Sequence, residues 1–166
     1  FEVSNDKFNQ LINFIKKKYK VKKNFFIALY YPSNYEINIL NIINDLKHPK
    51  ITLLLPKVQE GNLLKFYEWN IRDVLIVNKF GIPEPLKNKK SFLPDIVLVP
   101  LLAFDNQKNR LGYGKGFYDR YLNNLTILNK KIETIGIAFS FQKYKKIPSS
   151  KFDFQLKNIF TEKGFL

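Results

Sequence analysis

The chain has 166 residues, a net charge of +14, and 45% hydrophobic and 16% aromatic residues. That suffices for one packed domain, and no apolar run reaches the roughly 20 residues that cross a bilayer. Cysteine is absent and histidine occurs once. Disulfides, thiolate catalysis and zinc–thiolate sites are therefore excluded, and a serine–histidine triad has almost nothing to build on.

The chain opens on Phe1 without a starting Met, so residues upstream of it are expected, and the polar first stretch carries no signal-peptide pattern. Phe8, Leu11, Ile12, Ile15 and Tyr19 recur at helical spacing, with Ser4, Asn5 and Asp6 as cap candidates. Lys16, Lys17, Lys18, Lys20, Lys22 and Lys23 form the solvated end of that helix. Residues Phe25 to Tyr31 read as a buried strand stopped by Pro32. Ser33 or Asn34 then caps a second helix whose face is Ile39, Leu40, Ile43 and Leu46. Glu36 falls in its first turn, where an acid complements the helix dipole.

His48 sits before Pro49 in a loop, and Ile51 to Leu55 is a strand ended by Pro56. Leu63 to Trp69 alternates like an edge strand, Val74 to Val77 is short and apolar, and Gly81 to Pro85 is a turn or loop. Lys87 to Ser91 reads as a solvated loop, and Ile96 to Val99 is the next strand. A helix follows with Phe117, Tyr121, Leu122 and Leu125 inward, then a strand over Ile132 to Phe139 in which Gly136 allows close packing. A last short strand lies near Asn158 to Thr161. Strands alternating with helices imply a mainly parallel sheet with helices on both faces.

The segment between Pro100 and Leu122 concentrates the chemistry. Three of the chain's 7 glycines, Gly112, Gly114 and Gly116, lie at alternate positions between Arg110 and Arg120. Glycine at that density serves left-handed backbone or close approach of main chain to a ligand. A glycine loop with cations that opens a helix suits an anion. Neither standard nucleotide motif fits: the spacing of a Walker loop is missing, and a polar loop separates these glycines from their strand, unlike a dinucleotide fingerprint. Arg110 and Lys115 can neutralise phosphates, and Asp119 falls where it could meet a metal bound to them. That metal would be held by oxygens, which favours Mg²⁺. The bland reading of Asp119 is a surface pair with Arg120 or a first-turn partner of the helix dipole, and that of Asp105 a turn residue hydrogen-bonding its own loop.

The cations are nearly all lysine, spread along the chain, and Arg72, Arg110 and Arg120 are the only arginines. Arginine's fork is the usual reader of nucleic acid, so the charge suits a small polyanionic substrate better.

Leu98-Val99-Pro100, Ala103-Phe104-Asp105 and Arg110 through Arg120 (RLGYGKGFYDR) together resemble the signature of the 5-formyltetrahydrofolate cyclo-ligase family, also called methenyltetrahydrofolate synthetase. Tyr31-Pro32 with Glu36-Ile37, Gly81-Ile82 with Glu84-Pro85, and Gln142, Ile147-Pro148 and Asp153 extend the resemblance in the right order. It implies a three-layer α/β/α sandwich with a mainly parallel sheet, as one domain over residues 1–166. It implies ATP- and Mg²⁺-dependent conversion of 5-formyltetrahydrofolate to 5,10-methenyltetrahydrofolate, with release of ADP and phosphate. By the same resemblance Arg110, Leu111, Gly112, Tyr113, Gly114, Lys115, Gly116, Phe117 and Tyr118 bind ATP, with Lys115 and Arg110 at the transferring phosphate. Tyr31, Glu36 and the stretch Tyr113 to Phe117 face the folate, and Asp119 and Asp153 hold Mg²⁺. On this reading Glu36 serves substrate rather than a helix dipole.

Two departures stand out. The family's basic N-terminal segment has no match before Phe8, and Phe117 stands where tyrosine is common. The expected partner is a reduced folate, which the basic surface would suit in polyglutamylated form; no nucleic acid or membrane is expected. A cytoplasmic monomer is the default, with an organelle as the alternative if a targeting segment precedes Phe1. The rival functional readings are a non-catalytic nucleotide- or folate-binding member of the same fold, and a basic nucleic-acid-binding protein.

Overall fold

The structure is a computed structural model and describes residues 3–20, 23–33, 35–128 and 130–166. Its frame is a seven-stranded sheet in the order β11-β10-β9-β6-β1-β2-β3. The strands are β1 (Phe25–Ala28), β2 (Ile51–Val58), β3 (Leu64–Glu68), β6 (Ile96–Pro100), β9 (Glu133–Ile137), β10 (Asn158–Thr161) and β11 (Gly164–Phe165). The five from β10 to β2 pair in parallel, while β3 and β11 close the two edges antiparallel. Two small ladders stand apart: β4 (Leu75–Val77) with β5 (Pro83–Pro85), and β7 (Ala103–Phe104) with β8 (Arg110–Leu111).

The central strands are apolar on both faces, as buried parallel strands must be. Ile27, Ile96, Leu98, Ile135 and Ile137 face one core, shared with Phe8, Leu11, Ile12 and Ile15 of the first helical segment. Ala28, Val97, Val99 and Ile159 face the other, packed against Leu122 and Leu125 of α2 (Phe117–Ile127). Helix α1 (Asn9–Tyr19) thus covers one face and α2 the other, giving the three layers expected. Gly136 is required on the α2 side: a Cβ there would lie 2.7 Å from Ile159 Cδ1 and Leu156 Cδ1 and 2.8 Å from Leu101 Cδ2.

Several local expectations are corrected. The second helix is absent. Ile39–Ile42 and Asn44–Leu46 form two short 3₁₀ turns, the first capped by Asn38, whose side chain accepts from Leu40 N. Asn38, Asn41, Asn44 and Asp45 compete for backbone hydrogen bonds and the isoleucines are poor helix formers, so three-residue turns win. They bury Ile42 where Leu40 was expected. The proposed cap Asn34 lies outside the described residues, as does Lys22. Ser4 precedes a 3₁₀ turn (Asn5–Phe8) and makes no side-chain cap bond.

Strand β1 stops at Ala28 rather than Tyr31, and β9 spans a shorter stretch than Ile132 to Phe139. Pro56 does not end β2. It lies beyond Leu54, the last residue paired to β1, and faces Phe66 across β3, where the strand needs no second ladder. The Gly81 to Pro85 loop contributes β5 to a hairpin.

The chain builds from β1 outward to β3, then returns to the other side of β1 with β6 and continues outward. The order therefore reverses between β1 and β6. In open parallel sheets, ligand crevices form outside the carboxyl ends of the strands at that reversal.

Candidate functional site

A cavity of about 760 Å³ lies at that place, bordered by Tyr30 and Tyr31 beyond β1, Pro56 and Val58 of β2, and Pro100 at the end of β6. Every residue from Arg110 to Asp119 lines it, together with Tyr31, Glu36 and Asp153. All thirteen residues singled out in the sequence thus meet on one cavity.

The glycine segment leaves β8 and runs into α2. Gly114 and Gly116 adopt φ of +77° and +62°, the left-handed backbone that only glycine enters at little cost. Gly116 is the N-cap of α2, so the first-turn amides of the helix face the loop as helix N-termini do. Gly112 has an ordinary φ, and its constraint is space: a Cβ would sit 3.3 Å from Arg110 Nη1. Arg120 holds the loop from behind, donating through Nη2 to Lys115 O at 2.8 Å and to Asn62 O at 3.0 Å.

Asp119 pairs with Arg110, not with Arg120. Arg110 Nη2 lies 2.6 Å from Asp119 Oδ1, which also accepts Phe154 N at 3.0 Å. The Arg110 side chain is 6% exposed, and its Nε has no partner among the described residues. Asp153 Oδ2 accepts Ser150 N at 2.7 Å. Each aspartate thus keeps one carboxylate oxygen without a hydrogen bond among the described residues. No group of three or more metal-binding side chains occurs among the described residues. Two hard carboxylates on one cavity, with phosphate and water oxygens completing the shell, fit Mg²⁺.

Glu36 is placed by a turn rather than a helix. Its N–H donates to Ser33 O at 2.9 Å, and its Oε2 accepts Ser33 N at 2.8 Å. Burial pushes its carboxyl above the usual carboxylate range, against the lowering by hydrogen bonds from the Ser33 backbone N–H and side chain. Ser33 also meets the glycine loop, Oγ to Tyr113 Oη at 3.3 Å. Tyr30 lies beneath and donates from its hydroxyl to Ile37 O at 2.6 Å. Burial, with Glu36 beside it, drives the Tyr30 pKa well up.

Asp105 stands outside the cavity and has the turn role expected of it. Its oxygens accept from Gln107 N, Asn109 N, Asn109 Nδ2 and Ile147 N at 2.9–3.0 Å. Burial pushes this carboxyl up, but those bonds outweigh it and hold the pKa below the usual value.

Sequence reading missed the part played by the β4–β5 hairpin. Asn78 Oδ1 accepts Phe80 N and Ile82 N at 2.8 and 3.1 Å, folding the tip, and Gly81 takes φ +78°. The tip carries Phe80 to 5.5 Å from the Phe117 ring, with Lys115 Nζ 5.8 Å from its centroid. Glu84 anchors the hairpin from inside. It accepts Val58 N and Asn78 Nδ2 at 2.8 and 2.7 Å and lies 3.5 Å from Lys57 Nζ, both side chains being buried. The Asn-x-x-Gly turn signal at 78–81 was legible, but nothing local marked Lys57 as buried.

The 5-formyltetrahydrofolate cyclo-ligase family profile matches residues 5–162. A Haemophilus influenzae protein named 5-formyltetrahydrofolate cyclo-ligase is 35% identical over 139 residues, 80% of this chain and 73% of its own length. A Mycoplasma genitalium protein of the same name is 35% identical over 131 residues, covering 78% and 68%. Among solved structures, a 5,10-methenyltetrahydrofolate synthetase from Mycoplasma pneumoniae superposes with TM-score 0.72 at 31% identity, over 95% of this chain and 84% of that one. The NMR structure of the Aquifex aeolicus synthetase gives TM-score 0.72 at 32% identity, over 96% and 80%. No helix among the described residues is long and apolar enough to cross a membrane.

Proposed function

Because this chain belongs to the 5-formyltetrahydrofolate cyclo-ligase family, we propose that it closes 5-formyltetrahydrofolate to 5,10-methenyltetrahydrofolate using ATP and Mg²⁺, with release of ADP and phosphate. The observation that carries this is the meeting, on one cavity, of a cationic glycine loop at a helix N-terminus and a half-buried carboxylate on a separate loop. The first suits phosphates; the second suits the N–H edge of a pterin.

In the proposed reaction the formyl oxygen takes the γ-phosphoryl group and ADP leaves. The neighbouring amine nitrogen then attacks the formyl carbon and loses its proton, and the carbon–oxygen bond breaks with departure of phosphate. An amide oxygen is a poor leaving group and phosphate a good one, so the protein's task is alignment and neutralisation of charge rather than nucleophilic attack. That fits a chain without cysteine and with a single histidine.

Residues Arg110 to Tyr118 wrap the phosphates in this reading, with Lys115 and Arg110 at the group in transfer. Lys115 leaves the Phe80 ring to do so. Tyr31, Glu36 and Tyr113 to Phe117 border the folate, Glu36 accepting from the pterin amino and ring N–H groups. Asp119 and Asp153 hold Mg²⁺, which when bound supplies charge neutralisation at the phosphates. Residues 1–166 act as one cyclo-ligase-like domain, as a cytoplasmic monomer on a reduced folate that the +14 charge suits in polyglutamylated form.

The test is a mixture of the protein with 5-formyltetrahydrofolate, ATP and Mg²⁺, followed by the near-ultraviolet absorbance of the methenyl product. A rise that needs all three is expected. Calorimetric binding of folate or ATP with no rise would assign a non-catalytic role instead.

A further inference from the structure

Four buried side-chain polar atoms lack a partner among the described residues: Trp69 Nε1, Arg110 Nε, Tyr118 Oη and Tyr121 Oη. Only Arg110 and Tyr118 line the cavity. A buried hydroxyl left unsatisfied is costly, so one on a residue that lines a binding cavity points to a ligand atom that completes it.

Tyr118 is fixed in place. It is the second residue of α2, its ring 6.4 Å from Phe66 and 6.0 Å from the Arg110 guanidinium carbon. Its hydroxyl is solvent-inaccessible, and Glu36 and Arg110 line the same cavity. As a phenol it carries a proton to donate at neutral pH.

Resting on the assignment of Glu36 to the pterin, we infer that Tyr118 is a substrate-reading residue that donates its hydroxyl to the ring carbonyl oxygen of the reduced pterin. The chemistry of that ring edge requires such a donor. An amino group and a ring N–H stand side by side, followed at once by a carbonyl oxygen. A carboxylate can accept from the first two but offers nothing to the third. Tyr118, which lines the cavity with Glu36, supplies the missing donor. Tyr118 thereby belongs to the folate half of the site, although it lies within the stretch assigned to ATP.

The experiment compares the wild type, Tyr118→Phe and Tyr121→Phe by calorimetry with 5-formyltetrahydrofolate alone and with ATP–Mg²⁺ alone, and by thermal melts. Loss of the Tyr118 hydroxyl should weaken folate binding about tenfold, the scale of one neutral hydrogen bond to a buried group, and weaken ATP binding much less. The ligand-free Tyr118→Phe protein should melt no lower than the wild type, because the deleted oxygen has no protein partner. Tyr121→Phe, which deletes the other unpartnered tyrosine hydroxyl one turn on and outside the cavity, should bind folate like the wild type. Unchanged folate affinity in Tyr118→Phe, or a loss confined to ATP, overturns the inference while leaving the cyclo-ligase reading intact. A wild-type protein that binds no folate defeats that reading, and the inference with it.

Discussion

Arg110 donates to Asp119 at 2.6 Å across the start of α2, joining the first cation of the glycine segment to the first-turn carboxylate of the helix. In the ligand-free protein each neutralises the other. On the proposed function, phosphates and Mg²⁺ would give both stronger partners of opposite sign, and until then the pair would hold the two charges in position without leaving either unpaired.

Asp119→Asn tests that dual role. It should lower Mg²⁺-dependent turnover by at least about tenfold, through lost charge neutralisation. It should also cost about 2 kcal/mol of stability, because the buried Arg110 loses its anionic acceptor. Turnover and urea unfolding report the two effects separately, and unchanged rates would remove Asp119 from the site.

Glu36 gives a pH dependence whose sign is fixed. Its folded-state pKa is raised from 4.5 by burial, so the ligand-free fold holds that proton more tightly than the unfolded chain does. The stability this contributes is complete below 4.5 and is lost as pH rises through the raised value. Folate binding runs the opposite way, since only the ionised carboxylate accepts two N–H bonds. Affinity should fall as pH drops through the raised pKa. Glu36→Gln should flatten both profiles and weaken folate at least about tenfold. Melting curves and calorimetry across pH 4–7 read both; an unaltered folate profile in the variant would detach Glu36 from the substrate.

Gly116→Ala should be worse than its size suggests. The position has φ +62°, and the new methyl would meet Arg120 Nη1 at 3.0 Å. The left-handed backbone costs about 1–2 kcal/mol. Displacement of Arg120 would further break its bonds to Lys115 O and Asn62 O and so free the loop. The expected result is a modest drop in the urea midpoint with a larger rise in the KM for ATP. A stability loss without any change in KM would make the glycine purely structural.

Lys57→Met removes the cation from a buried pair, together with its bond to Pro85 O, and leaves the Glu84 carboxylate without its ion partner. A loss of about 3 kcal/mol in urea unfolding is expected. Adding Glu84→Gln should recover part of it, because the amide still accepts from Val58 and Asn78. A double variant no more stable than the single one would place the stabilisation in the hairpin hydrogen bonds alone.

The central strands were legible because Phe25 to Ala28, Ile51 to Leu55 and Ile96 to Val99 are apolar runs that only a two-sided core accommodates. The glycine segment was legible because Gly114 and Gly116 are demanded by their own backbone angles, a local property. What escaped was decided at a distance. Ile39 to Leu46 has the apolar count of a helix, but asparagine side chains turn it into 3₁₀ segments. Pro56 is tolerated because β1 has already ended beside it, which no window around Pro56 reveals. The Arg110–Asp119 pair, nine residues apart, forms only once β8 and α2 are placed, whereas adjacency in sequence had suggested Arg120.

The contact between Ser33 and Tyr113, 3.3 Å across, joins the loop assigned to folate to the loop assigned to ATP. If a ligand must part them, the first to arrive bears the whole cost of opening and the second bears none. Each would then tighten the other's affinity by the same factor, as thermodynamic linkage requires. A single hydroxyl pair would in that way make the two substrates mutually cooperative, with no second site and no change of subunit arrangement.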